Sequence, residues 1–289
     1  MGAFIGDALA LGPHWYYDID KLREDYGEWI TDYTDPKPDR YHAGLKAGQS
    51  SQSGWLLELT LRSLAQSGGY DEADFCRRLD EDFFPLIDGT PKNGPGGYTS
   101  QSMREAWRLR TRQKLPWDQV GGYCDNTEAA ERILAIAARY AKAPAALATH
   151  VSTNTVLTQI DPTVNAMTTA YGSALGLLLQ GEPFDENISD KLMALVREGQ
   201  LRFHTVTSKS GNGVPTGPEA ARQAGQFTSP DALLGMGSMA RAARDPDLQF
   251  NPAWKVSLLY GMPCAVYHIF PAAYYLAARF GDDFETAVL

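Results

Sequence analysis

Cysteine is scarce in this 289-residue chain. Cys76, Cys124 and Cys264 stand too far apart for a disulfide framework, and none belongs to a CxxC pair that would suggest zinc or redox chemistry. A reducing compartment fits that usage. Positive charge is also short: 26 Lys and Arg face 35 Asp and Glu, for a net charge of -9. The chain shows no basic run, which argues against a phosphate-backbone binder and against nucleic acid as a partner. Long hydrophobic stretches are missing as well. Gly, Pro or Arg interrupts each one well short of the ~18 residues a membrane span needs. The first residues lack a basic segment followed by a long apolar core, so no secretory signal is read. Cytoplasm is the default compartment, although a targeting segment removed beforehand would leave no trace. Strand-like alternation is nearly absent.

What the chain has is helical periodicity. Val164, Met167, Tyr171, Leu175 and Leu178 recur at three and four residues, with Asp161 placed as N-cap and Pro162 as first helical residue, predicting a helix to Leu179. A second helix is expected over 127–142, capped by Asn126 or Asp125. Its inward positions are Ile133, Leu134, Ala137 and Tyr140, and Glu128 lies one turn before Arg132. Others are expected near 2–11, 53–67, 72–87, 100–113, 189–199, 230–243 and 265–280, the last kinked or restarted at Pro271. With 44% apolar residues and no break in composition, the chain reads as one all-α domain. Three loops rich in Gly, Pro and Asx, at 31–51, 88–100 and 208–219, are candidates for function or for surface insertions.

Local motifs for chemistry are few. His14, His42, His150, His204 and His268 form no HExxH, and there is no GxSxG elbow or Walker loop. The spacing of Gly235, Gly237 and Ala240 imitates a dinucleotide loop, but the segment reads as helix with no strand before it. The opening "GAFIGDALALGPHWYYD" is more informative. Asp7 sits on a helix of small and apolar residues, where an unpaired carboxylate is costly to bury, so it needs a partner. It either anchors a neighbouring segment or serves as a ligand. His14, Trp15, Tyr16 and Tyr17 follow the Gly12-Pro13 break, as the lining of a cleft or a plug in the core.

Five segments, in order, make the chain resemble the ADP-ribosylglycohydrolase family, especially its divergent branch that includes the J-type crystallins. "GAFIGDALALGPHW" is similar to the family's opening GxxxGDAxG helix and "SSQSGWLLELTLRSLAQSGGYDEADF" to its second segment. "DNTEAAERILAIAARYA" resembles its central helix, and "TQIDPTVNAMTTAYGSALGLLLQG" the helix after its Thr-His turn. "MPCAVYHIFPAAYYLAARFGDDFETAVL" is similar to the stretch leading into the last motif. The resemblance implies an all-helical, mostly orthogonal multi-helix bundle. It also implies a two-magnesium cleft that hydrolyses bonds from ADP-ribose to side chains or small acceptors.

Several positions depart from that pattern. The family's Thr-Asp-Asp-Thr register falls on Ser51, Gln52, Ser53 and Gly54, so both metal-binding carboxylates are missing. An acid that several active members carry falls on His14, and the His of the Thr-His turn falls on Gln159. A Gly-Gly-Asp-x-Asp-Thr motif would follow "DDFETAVL", so the resemblance implies a domain shortened at both ends. Neutral ligands are poor substitutes for magnesium carboxylates. The expectation is a degenerate member without metal or other cofactor, acting as a structural or binding component, with protein assembly partners suggested by the aromatic-rich segment 265–280. The alternative is an active hydrolase of ADP-ribose-type N- or O-glycosidic bonds, taking an ADP-ribose-like molecule. In the binding set are Asp7, His14, Gln52, Ser53, Tyr98 and Gln159; no residue is assigned a catalytic role.

Overall fold

In a computed structural model describing residues 1–201 and 230–289, nearly every long segment with helical periodicity is a helix, and no strand occurs among the described residues. The fold is all-α, as expected. His204 and the 208–219 loop lie outside the described residues. The chain divides into two compact units, one of residues 1–135, 157–159 and 284–289, the other of 136–156 and 160–283.

The first unit opens with α1 (Gly2–Ala10), which stops before Gly12-Pro13. Helix α2 (Ile19–Tyr26) was not expected, because its sequence is largely polar and none of it is buried. Asp18 starts it by accepting from the Asp20 and Lys21 amides at 3.0 and 3.1 Å, and Gly27 ends it at φ 92°. Helix α3 (Gln52–Ser67) follows the first long loop, and α4 (Glu72–Arg78) packs against it. Instead of running as one regular helix over 72–87, α4 continues into a π-helical turn, Leu79–Phe83, and a 3-10 turn, Phe84–Leu86. Helix α5 (Gln101–Trp107) likewise passes into a π-helical turn, Arg108–Arg112. Leu56, Phe75, Leu79, Phe83 and Met103 form the centre of this unit's core, all fully buried.

The expected 127–142 helix is split into α6 (Glu128–Arg132) and α7 (Leu134–Arg139). Thr127 stands at the N-cap position without a side-chain cap, while Asn126 Oδ1 accepts from the Glu128 amide at 3.4 Å. The Glu128 and Arg132 pair does form, with Arg132 fully buried. Thr158 and Ser102 hydroxyls also donate to the Glu128 carboxylate, at 2.9 and 3.2 Å. Such satisfaction is what a buried ion pair requires.

In the second unit α8 (Pro144–Val156), another helix not expected from its Thr-rich sequence, packs against α9 (Pro162–Leu179). Asp161 caps α9 as the sequence indicates, accepting from Thr163 and Val164 amides at 2.8 and 3.1 Å. Its buried face differs from the expected stripe: Val164 is buried, but Ala166, Ala170, Gly172, Ala174 and Gly176 dominate, with Met167, Tyr171, Leu175 and Leu178 only partly covered. Small residues win this face because α8 comes close; a Cβ on Gly176 would lie 2.8 Å from the Leu147 side chain. Helices α10 (Ile188–Arg197), α11 (Pro230–Arg244), α12 (Val256–Tyr260) and α13 (Val266–Arg279) complete the unit. Ala240, Ala243, Val256, Tyr275 and Ala278 form a core there, and α13 runs through Pro271 as one helix. Gly235, Gly237 and Ala240 are helical, as read. A short α14 (Phe284–Val288) belongs to the first unit. No helix of the described residues is long and apolar enough to cross a membrane.

Candidate functional site

The site is built around the N-terminus of α3, in the first unit. Ser51 is the N-cap: its hydroxyl accepts from the Ser53 amide at 3.1 Å while donating to Asp7 Oδ1. The Ser51 amide donates to Asp7 Oδ2 at 2.9 Å. Asp7 therefore anchors a neighbouring segment, and its charge lies against the positive end of a helix dipole. Burial pushes the Asp7 carboxyl above the usual range, while the Ser51 bonds and nearby His42 pull it down. Gly54 is needed for this approach. A Cβ there would sit 2.9 Å from Ser50 Cβ and still closer to the Asp7 carboxylate.

The other side chains of the metal register are also engaged. Gln52, almost fully buried, accepts from the Ser100 amide at 3.1 Å through Oε1. Ser53 donates to Glu131 on α6, whose second oxygen accepts from Thr127 Oγ1 at 2.5 Å. Desolvation raises the Glu131 carboxyl, the Ser53 and Thr127 bonds oppose it, and Glu128 and Asp7 raise it further. Glu131 was not singled out from the sequence. Its spacing of four from Thr127 is the only local sign.

The loops at 31–51 and 88–100 both close on this helix end. Gly96, at φ 77°, presses on the backbone of Ser51 and Gln52 so closely that no Cβ fits. Its carbonyl is 2.8 Å from His42 Nδ1, which places the imidazole proton there. His42 Nε2 is buried with no hydrogen-bond partner among the described residues. The His14 and His42 rings meet edge to face at 4.8 Å, and Trp15 contacts Tyr41 and Tyr98 at 4.3 and 4.9 Å between ring centres. Trp15 takes φ 63° to turn the chain into this cluster. Burial, with a smaller contribution from His42, lowers His14 to about 3, and burial lowers His42 as well, so both imidazoles are neutral at pH 7.

Gln159 stands apart from the aromatic cluster in its bonding. Fully buried, it accepts from the Ala129 amide at 3.0 Å and donates to the Cys124 and Asn126 carbonyls at 2.9 and 2.8 Å. Its amide ties 122–126 and the start of α6 to the 157–159 segment, beside an isolated backbone bridge between Gly122 and Gln159. The structure thus brings Asp7, Gln52 and Ser53 together at one helix end and His14 with Tyr98 in one ring cluster, while Gln159 braces α6. Among the described residues no three His, Cys, Asp or Glu side chains gather as a metal-holding group.

A comparison with curated proteins finds no significant match. The sequence model of the ADP-ribosylglycohydrolase family matches residues 1–289, the whole length, and the chain belongs to that family.

Proposed function

We propose that this protein keeps its family's helical scaffold without two-magnesium hydrolysis and serves as a structural or binding component, in the manner of the divergent crystallin-like branch. The carrying observation is that Asp7, the carboxylate beside the metal register, spends both oxygens on Ser51. Magnesium asks for near-octahedral oxygen ligands at about 2.0–2.1 Å and gives up water reluctantly. One unit-charge pair at ~4 Å is worth about 4 kcal/mol at an effective dielectric near 20, so each missing carboxylate weakens a divalent site severely. Gln52 and Ser53 supply neutral atoms already engaged with Ser100 and Glu131. These residues do not fit a magnesium pair. The test is incubation of the purified chain with a mono-ADP-ribosylated protein, with magnesium and with chelator. The reading predicts no release of ADP-ribose in either; release that chelation abolishes contradicts it.

A second reading, a hydrolase of ADP-ribose-type N- or O-glycosidic bonds with an altered pocket, is favoured by the unpartnered His42 Nε2 beside His14. A neutral imidazole with a free lone pair can accept a hydrogen bond from a ligand that reaches it. This reading requires turnover that survives chelation and is lost in His42→Phe.

A further inference from the structure

Both π-helical turns contribute to one cleft. Asp80 comes from the turn Leu79–Phe83 and Arg110 from Arg108–Arg112, and the two are joined at 3.0 and 2.9 Å, with Trp117 Nε1 donating to the same carboxylate at 3.1 Å. A cleft of about 350 Å³ opens over this pair, lined by Asp80, Phe84, Pro85, Arg110, Thr111 and Lys114. It shares no residue with the Asp7 and Gln52 site. Because an inserted π turn re-aims the side chains that follow it, such turns recur at functional sites.

The cleft has more donors than acceptors. Asp80 is satisfied by Arg110 and Trp117. Arg110 uses one Nη1 hydrogen on the Leu115 carbonyl at 2.9 Å, one Nη2 hydrogen and its Nε hydrogen on Asp80, which leaves two N–H groups unassigned. Thr111 Oγ1 and Lys114 Nζ have no bonding partner among the described residues. Lys114 is held at φ 59°, a left-handed conformation that lysine rarely takes, at the point where the chain leaves the π turn. Arg112 stacks 5.1 Å over Trp107 and forms no ion pair among the described residues. Arg104, Arg108, Arg110, Arg112 and Lys114 concentrate five cations within eleven residues of an otherwise acidic chain. They fall at separated positions, which is why no contiguous basic run marks them. Phe84, stacked on Trp117 at 5.7 Å, and Pro85 line the same cleft.

The geometry points to a second ligand site, in which Lys114, Thr111 and the spare Arg110 hydrogens hold the phosphate of a small phosphate monoester whose organic portion lies on Phe84 and Pro85. Tetrahedral oxyanions suit guanidinium, ammonium and hydroxyl donors. Phenyl phosphate titrated calorimetrically into the full chain, without magnesium, tests it. Saturable binding is expected, weakened about tenfold or more in Lys114→Ala and only a few-fold in Lys114→Arg. Lys114 is exposed, so an unchanged melting temperature shows that the variant is folded. Absence of saturable binding at millimolar probe, or equal affinity in Lys114→Ala, overturns the site. Inorganic phosphate binding as tightly as phenyl phosphate overturns the role given to Phe84 and Pro85.

Discussion

Ser51 grips the Asp7 carboxylate twice, through its backbone amide and through the hydroxyl that also caps α3. Removing the acceptor frees an amide and a hydroxyl in a half-buried place. Asp7→Ala is expected to lower stability by about 1–3 kcal/mol in urea unfolding. A loss within error would mean that water serves α3 equally well.

Gly54 allows that grip by having no side chain. Gly54→Ala drives a Cβ into Ser50 and the Asp7 carboxylate, with an expected cost of about 1–3 kcal/mol. Gly6→Ala on α1 meets nothing within 4 Å, so helix propensity alone predicts a gain of about 0.5–1 kcal/mol. Thermal melts of the two variants should move in opposite directions.

His14 gives the protein an acid-side weakness. Folded His14 resists protonation until about pH 3, whereas the unfolded side chain takes its proton near pH 6.5. The unfolded state therefore binds more protons between these values, and stability falls as pH drops, by up to about 1.4 kcal/mol per pH unit. His14→Phe should flatten that slope by about one proton between pH 6 and 4. An unchanged slope would remove His14 from this role.

Glu131 has the opposite sign. Its folded carboxyl is raised above the ordinary 4.5, so its stabilising contribution is full below that pH and is lost as pH rises through the raised value. Glu131→Gln, neutral throughout, should gain on the wild type between pH 4 and 7; parallel stability curves would contradict this.

The buried Arg132 and Glu128 pair should behave as a unit. Arg132→Met alone leaves an uncompensated carboxylate and is expected to cost about 3–5 kcal/mol, and adding Glu128→Leu should recover much of it. Denaturant midpoints of the single and double variants measure this.

The long apolar helices were legible because period and caps agree, as at Asp161 and Pro162. Helix α2 was not, since it is made by the Asp18 cap and local ion pairs such as Lys21 with Asp25 at 3.1 Å rather than by a buried stripe. The face of α9 was misjudged because large apolar residues suggest burial, whereas close helix contact selects Ala and Gly. At the site, Asp7 announced itself as a charge among small residues. Glu131 and His42 did not, because their partners lie 78 and 54 residues away in sequence. The turn in α5 hid its charges similarly, as the pairing of Arg110 with Asp80 depends on a change of helical winding no periodicity records.

Calorimetric titration of magnesium into the purified chain tests the central claim most directly. The account predicts no saturable uptake at millimolar ion, because hydroxyl and amide groups already bonded to Glu131 and Ser100 stand in the ligand positions. Two equivalents of magnesium bound saturably by the unmodified protein would contradict it.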